Sequence, residues 1–272
     1  MSERPVVLIG GGRMGGAIVR GLASAAPREI FVVDPNIDAA PGATLVRAPS
    51  ELPPLEEAVV VIAVKPQVSA GVLPNLRALA KPGVVFVSIV AGLSLATLAE
   101  ALGREARLVR AMPNTPAAAL MGITGVFAGP GVSADQRALC QSLLSAIGEV
   151  VWLEREDMID MVTAISGSGP AYFFRFAEAM SAAGAALGLP AETAERLARR
   201  TLEGAGALAA ATDRSLADLR VEVTSPKGTT AAALARLEAG GLEALVNDAA
   251  RAARARALAL GAEIAAASPV SH

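Results

Sequence analysis

The sequence predicts an α/β fold in two parts: a doubly wound parallel sheet, then a domain built of helices alone. Three observations carry this. From Pro5 to about Leu153, short Val- and Ile-rich runs alternate with helical stretches. After an acidic break at 154–157, no strand-like run recurs and the chain becomes rich in Ala, Leu and Arg. A glycine-rich turn, GGGRMGG, joins the first strand-like run to the first helical one. Unbroken apolar runs suit strands buried on both faces, and their alternation with helices reads as βαβ units.

The elements follow in order. PVVLI opens the chain as a strand, and residues 14–25 form the first helix. EIFVV and AVVVIAV are the next strands, followed by a helix over 67–79. GVVFVSIV is a strand, 95–102 a helix and ARLVRAM a strand. ITGVFAG, a helix over 134–147 and EVVWL extend the same pattern. Helical spacing then covers 158–187, 191–211 and 242–262, and 231–237 is a further strong helix former. The boundary therefore falls near residue 157, dividing the chain into 1–157 and 158–272. The Ala-rich helices can approach closely, which suits helices interlocked between two subunits.

Composition narrows the chemistry. The chain has 272 residues, is 53% apolar and only 3% aromatic, so Ala, Val and Leu fill the core. A net charge of −2 argues against a general nucleic-acid binder. The single cysteine, Cys140, rules out an internal disulfide and a Cys-rich metal site, as suits a reducing cytosol. The N-terminus lacks a secretory pattern, and the most apolar long run, 84–99, is shorter than a spanning helix. A cytoplasmic protein with no membrane partner and no metal is expected. The one histidine is the last residue, His272, which removes His triads and His acids from consideration. Basic side chains come only from Lys65, Lys81, Lys227 and the arginines.

Gly10, Gly12 and Gly15 have G-x-G-x-x-G spacing, after a strand and at the start of a helix. Gly10 permits the tight turn, Gly12 lets a pyrophosphate approach the backbone, and Gly15 lets helix and strand pack closely. Arg13 and Met14 complete the turn. This is a Rossmann-like dinucleotide site. Asp34 ends the second strand, where an acidic residue hydrogen-bonds the adenosine ribose and repels a 2′-phosphate. No base stands among 35–38, so NAD(P)H use leans toward NADH. Capping of the turn before Pro35 is the alternative role for Asp34. Val64, Lys65 and Pro66 end a later strand, and Ala91 and Asn114 follow two more. Ligands bind beyond the carboxyl ends of such strands, so these residues outline the nicotinamide end of a cleft.

The stretch TSPKGTT, 224–230, precedes the helix former at 231–237. Pro226 bars a helix from continuing through it, and Gly228 frees the backbone. Gly228, Thr229 and Thr230 are expected to present unpaired N–H groups at a helix N-terminus, a ready anion site. A plain Thr cap is the alternative.

These stretches resemble the pyrroline-5-carboxylate reductases along nearly the whole chain. The matching motifs are IGGGRMGGAIVRGL, IAVKPQ, SIVAGLS, RAMPNTPA, TAISGSGPAYFF and VTSPKGTTAAALARLEAGGLEALVNDAA. One departure is Lys227, where the family usually has a second glycine. The resemblance implies reduction of the cyclic imine 1-pyrroline-5-carboxylate to proline, the last step of proline biosynthesis. It implies that the all-α domain binds substrate and dimerises, giving a homodimer or a ring of dimers. The helix start at Gly228, Thr229 and Thr230 would hold the substrate carboxylate. Thr230 would hydrogen-bond the ring nitrogen as the catalytic contact, and Ser168 would line the pocket. A β-hydroxyacid dehydrogenase is disfavoured because 158–187 holds no lysine to act as acid and base. A nucleotide sensor without catalysis would keep the glycine turn but have no use for TSPKGTT.

Overall fold

The computed structural model describes residues 4–25 and 28–267; His272 lies outside them. Eight strands form one sheet: β1 (Val6–Ile9), β2 (Ile30–Val33), β3 (Thr44–Val46), β4 (Glu57–Ile62), β5 (Gly83–Ser88), β6 (Arg107–Met112), β7 (Gly122–Ala128) and β8 (Gly148–Trp152). Their order is β3-β2-β1-β4-β5-β6-β7-β8. The chain starts in the middle and winds outward both ways, so the order reverses between β1 and β4. That reversal opens a crevice at the carboxyl ends of the strands.

The strands are apolar throughout because both faces are covered. Val6 and Leu8 enter one core with Ile18 and Leu22 of α1 (Arg13–Ala25). Val7 and Ile9 enter the other, with Leu98 and Leu102 of α3 (Leu95–Leu102). Alternate residues of one strand thus fill two cores. α3 starts at Ser94, whose hydroxyl accepts from Thr97 N at 3.1 Å. α4 (Ala134–Ser145) starts with a full capping box between Ser133 and Gln136.

The structure departs from these expectations at several places. β3 is an additional strand, three residues long, parallel to β2. The β2–β3 connection holds no helix; the Arg47 guanidinium ties it down by donating to the carbonyls of Asp34 and Ile37. The helix expected over 67–79 is α2 (Pro66–Val72) followed by a 3-10 segment, Leu73–Leu79, because Pro74 cannot donate to the α ladder. β7 runs antiparallel to β6, against the expected continuation of the parallel pattern. Only a 3-10 turn, Thr115–Ala119, separates them, which is too short for a helical crossover.

The helix expected over 158–187 is also interrupted. α5 (Met158–Val162) passes through a π turn, Thr163–Gly167, into α6 (Gly169–Ala186). Then come α7 (Ala191–Ala210), α8 (Leu216–Glu222), α9 (Thr229–Ala239) and α10 (Leu242–Ala267). Two compact units result. One runs to Ser168 and resumes at Ala253; the other is Gly169–Ala252, helices only. α5 packs on β6 and β7 of the sheet unit, beyond the acidic break where the sequence suggests a boundary. In the helical unit α6 meets α7 closely: a Cβ on Gly184 would lie 3.1 Å from that of Ala194.

Candidate active site

The glycine turn has the geometry a dinucleotide needs. Gly10 sits at φ +104°, and a Cβ there would come within 2.9 Å of the Ala63 carbonyl oxygen. A Cβ on Gly15 would be 2.2 Å from the Gly10 carbonyl oxygen, so α1 rests on the turn itself. Gly12 has no such neighbour within 4 Å and leaves its backbone open on one side. The first N–H groups of α1, which begins at Arg13 directly after this opening, have no partner within the helix, as a pyrophosphate requires. The residues present therefore fit a dinucleotide. Met14 is partly buried against the core, while Arg13 is exposed.

Asp34 takes the turn-capping role expected as its alternative, and a further one. Its Oδ2 accepts from Gly11 N at 2.8 Å and its Oδ1 from Asn36 N at 2.8 Å. It thus braces the glycine turn and caps its own loop, with lone pairs left on both oxygens. Arg47, too far along the chain to be noticed beside 35–38, stands over the same loop because β3 pairs beside β2. A cavity of about 430 Å³ adjoins the turn, lined by Gly11, Gly12, Arg13, Arg20, Ile37 and Pro41 among others. Within the described residues neither Arg13 nor Arg20 has an ion-pair partner.

The remaining rim residues lie where strands end. Lys65 is exposed and stands just before α2, while Val64 reaches back to Gly10, its Cγ1 within 3.3 Å of a Cβ placed there. Pro66 opens α2 at its first position. Ala91 is half-buried beyond β5. Asn114 has a structural part that was not foreseen: it is buried and its Oδ1 accepts from Ile123 N at 3.0 Å, fastening β7 to the end of β6. Arg110 on β6 is buried and donates to Glu156 at 2.9 Å and to Asp160 at 3.5 Å. Glu156 also accepts from Leu95 N at the start of α3. This cluster holds the base of the π turn that leads to half-buried Ser168, whose N–H donates to the Thr163 carbonyl at 2.9 Å.

In the helical unit, TSPKGTT forms a turn and then a helix. Gly228 N donates to the Ser225 carbonyl at 3.0 Å, closing a four-residue turn with Pro226 second and Lys227 third. Lys227 has φ +59°. A proline followed by a residue of positive φ is the type II pattern, which explains why glycine suits the Lys227 position. The expectation for Gly228 is corrected accordingly. Its N–H is spent in the turn, so the free donors begin at Thr229 and continue at Thr230. No side chain caps α9, which leaves those donors for a ligand or water.

A sheet of this order with a fitted glycine turn, followed by helices, defines a dinucleotide-binding protein, and its relatives make it an oxidoreductase. Residues 5–92 match the family described as NADP oxidoreductase coenzyme F420-dependent, and residues 156–260 match Pyrroline-5-carboxylate reductase dimerisation. The chain belongs to the pyrroline-5-carboxylate reductase family. It is 41% identical to the pyrroline-5-carboxylate reductase of Pseudomonas aeruginosa, over 97% of this chain and 99% of that one. With the enzyme of that name from Synechocystis it shares 38%, covering 93% and 97%. The Coxiella burnetii reductase structure superposes with a TM-score of 0.88 at 37% identity, covering 95% and 99%. The Plasmodium falciparum reductase, solved with NADP bound, gives 0.83 at 28% identity, covering 96% and 99%.

Proposed function

We propose that this protein reduces 1-pyrroline-5-carboxylate to L-proline with NAD(P)H. The observation that carries the reading is the start of α9, which offers uncapped N–H groups in a chain that also holds a fitted dinucleotide turn. Residues 1–157 serve as the dinucleotide domain and 158–272 as the substrate and dimerisation domain. The protein works as a homodimer or a ring of dimers, consistent with the dimerisation family matched by 156–260. Among the described residues no helix is long and apolar enough to cross a membrane.

The N–H groups of Thr229 and Thr230 bind the substrate carboxylate, where the helix dipole adds to the hydrogen bonds. The Thr230 hydroxyl hydrogen-bonds the ring nitrogen and sets the face of the imine, and Ser168 lines the pocket. When bound, the reduced nicotinamide supplies the hydride that the imine carbon accepts. A cyclic imine is protonated readily in water, so no histidine is needed as acid; orientation is the protein's main contribution. Asp34 receives the adenosine ribose hydroxyls on its remaining lone pairs and favours NADH.

The test is oxidation of each reduced cofactor by the purified protein with pyrroline-5-carboxylate present, and identification of proline as product. Cofactor binding without proline formation would overturn the enzyme reading in favour of a sensor. NADH is expected to have a kcat/KM at least equal to that of NADPH. An NADPH preference of about tenfold, roughly 1.4 kcal/mol, would overturn the lean and point to the unpaired Arg13 or Arg20 as the holder of a 2′-phosphate.

A further inference from the structure

We propose that Gly261, near the end of the chain, is a positioning residue for the nicotinamide end of the cofactor, acting through the turn that carries Ala91. This rests on the cofactor reading above. Beyond β5 the backbone makes a tight turn, with Leu93 N donating to the Val90 carbonyl at 3.3 Å and Gly92 at φ +78°. Its two ends are anchored from below. Val90 and Leu93 are buried in the core, and Val90 N donates to Ser88 Oγ. Its crest, Ala91 and Gly92, is half-buried.

The crest is held from the other side by α10. A Cβ on Gly92 would meet Gly261 N at 2.7 Å and the Ala257 carbonyl oxygen at 3.1 Å. A Cβ on Gly261 would meet the Gly92 carbonyl oxygen at 2.6 Å. Two backbones therefore touch with no side chain between them. Ala257 and Ile264, on the same face of α10, are 3% and 6% exposed, so the helix is seated firmly rather than grazing the turn. The height of Ala91 above the sheet is set between a buried floor and a helix backbone. A side chain at 261 has no room unless the turn yields by most of an ångström, since ordinary carbon contacts begin near 3.5 Å. A misplacement of that size at a reacting centre costs up to about a hundredfold in rate.

The experiment compares Gly261→Ala with the unaltered protein in binding ADP-ribose, which lacks the nicotinamide, and in binding and oxidising NADH. The expected result is NADH affinity or kcat lowered about tenfold or more with ADP-ribose affinity within about twofold, because the adenosine end lies on the glycine turn. Parallel loss of both ligands, or no change in either, overturns the proposal. If Gly261→Ala does not fold, Ile264→Val loosens the same seat without adding an atom. It should weaken NADH by about threefold and leave ADP-ribose unchanged, a shift of roughly 0.7 kcal/mol; equal or absent effects again overturn the proposal. Failure of the catalytic reading is distinguishable, since it would appear in the unaltered protein as NADH binding without proline formation.

Discussion

Lys227 stands in a backbone conformation that side-chain-bearing residues rarely adopt. At φ +59° it occupies the third position of a turn that glycine fills at lower cost. It is exposed and has no ion-pair partner within the described residues, so no contact offsets the strain. Lys227→Gly should therefore stabilise the protein by about 0.5–1 kcal/mol, the relief of the left-handed backbone outweighing the extra chain entropy of glycine. Thermal unfolding measures this, and a lower melting temperature would contradict it. The same variant should change KM for pyrroline-5-carboxylate by less than about threefold, because the proposed carboxylate contacts are the N–H groups of α9 and not the Lys227 side chain. A rise of tenfold or more that shrinks with added salt would instead make Lys227 a ligand. Thr230→Ala removes one hydrogen bond proposed to strengthen in the transition state. It should cost roughly 1–3 kcal/mol in kcat/KM while the melting curve stays in place. Wild-type kinetics would leave Thr230 as a helix-start residue only.

Among elements, the join between α5 and β6 is the one that a single side chain controls. Arg110 reaches Glu156 and Asp160 from inside the sheet, and Glu156 in turn caps α3. Arg110→Ala would leave Asp160 buried and unpaired, so it should destabilise the protein by roughly 3 kcal/mol. Denaturant unfolding reads this out, and a loss below about 1 kcal/mol would mean that water replaces the guanidinium. The alternation of apolar runs with helices made β1, β2, β4, β5 and β6 legible without coordinates. β3 was not, because three residues, Thr44–Val46, carry too little pattern to register as a strand. The direction of β7 was not either, since apolarity says nothing about which way a strand runs. The π turn over Thr163–Gly167 escaped because its i→i+5 hydrogen bonding has no residue type of its own.

Over the whole molecule, the helical unit exposes more apolar surface than a lone protein keeps in water. Phe173, Phe174 and Phe176 are 63%, 59% and 45% exposed on α6, and Leu197 and Leu208 stand out from α7. A cavity of about 850 Å³, lined by Phe174, Ala177, Ala198 and Leu202 among others, runs between these helices. Patches of this kind mark association sites, and a second copy of the chain is the occupant that the matched dimerisation family implies. Phe173→Glu paired with Phe174→Glu should shift the protein toward monomer in sedimentation and lower its activity. Unchanged assembly would place the interface elsewhere.

The sequence by itself determined the sheet-then-helix order, the glycine turn between the first strand and the first helix, a helix start within 228–230 and the family. Each is a local property: apolar spacing, turn chemistry and short motifs are written in neighbouring residues. Only the tertiary structure showed Arg47 over the Asp34 loop, Arg110 joined to Glu156 and Asp160, and Gly261 against Gly92. Those pairs lie far apart along the chain, and their contact depends on which strands lie side by side and where α10 ends its path. Residue type records what a side chain can do; strand order and helix packing decide which distant partner it meets.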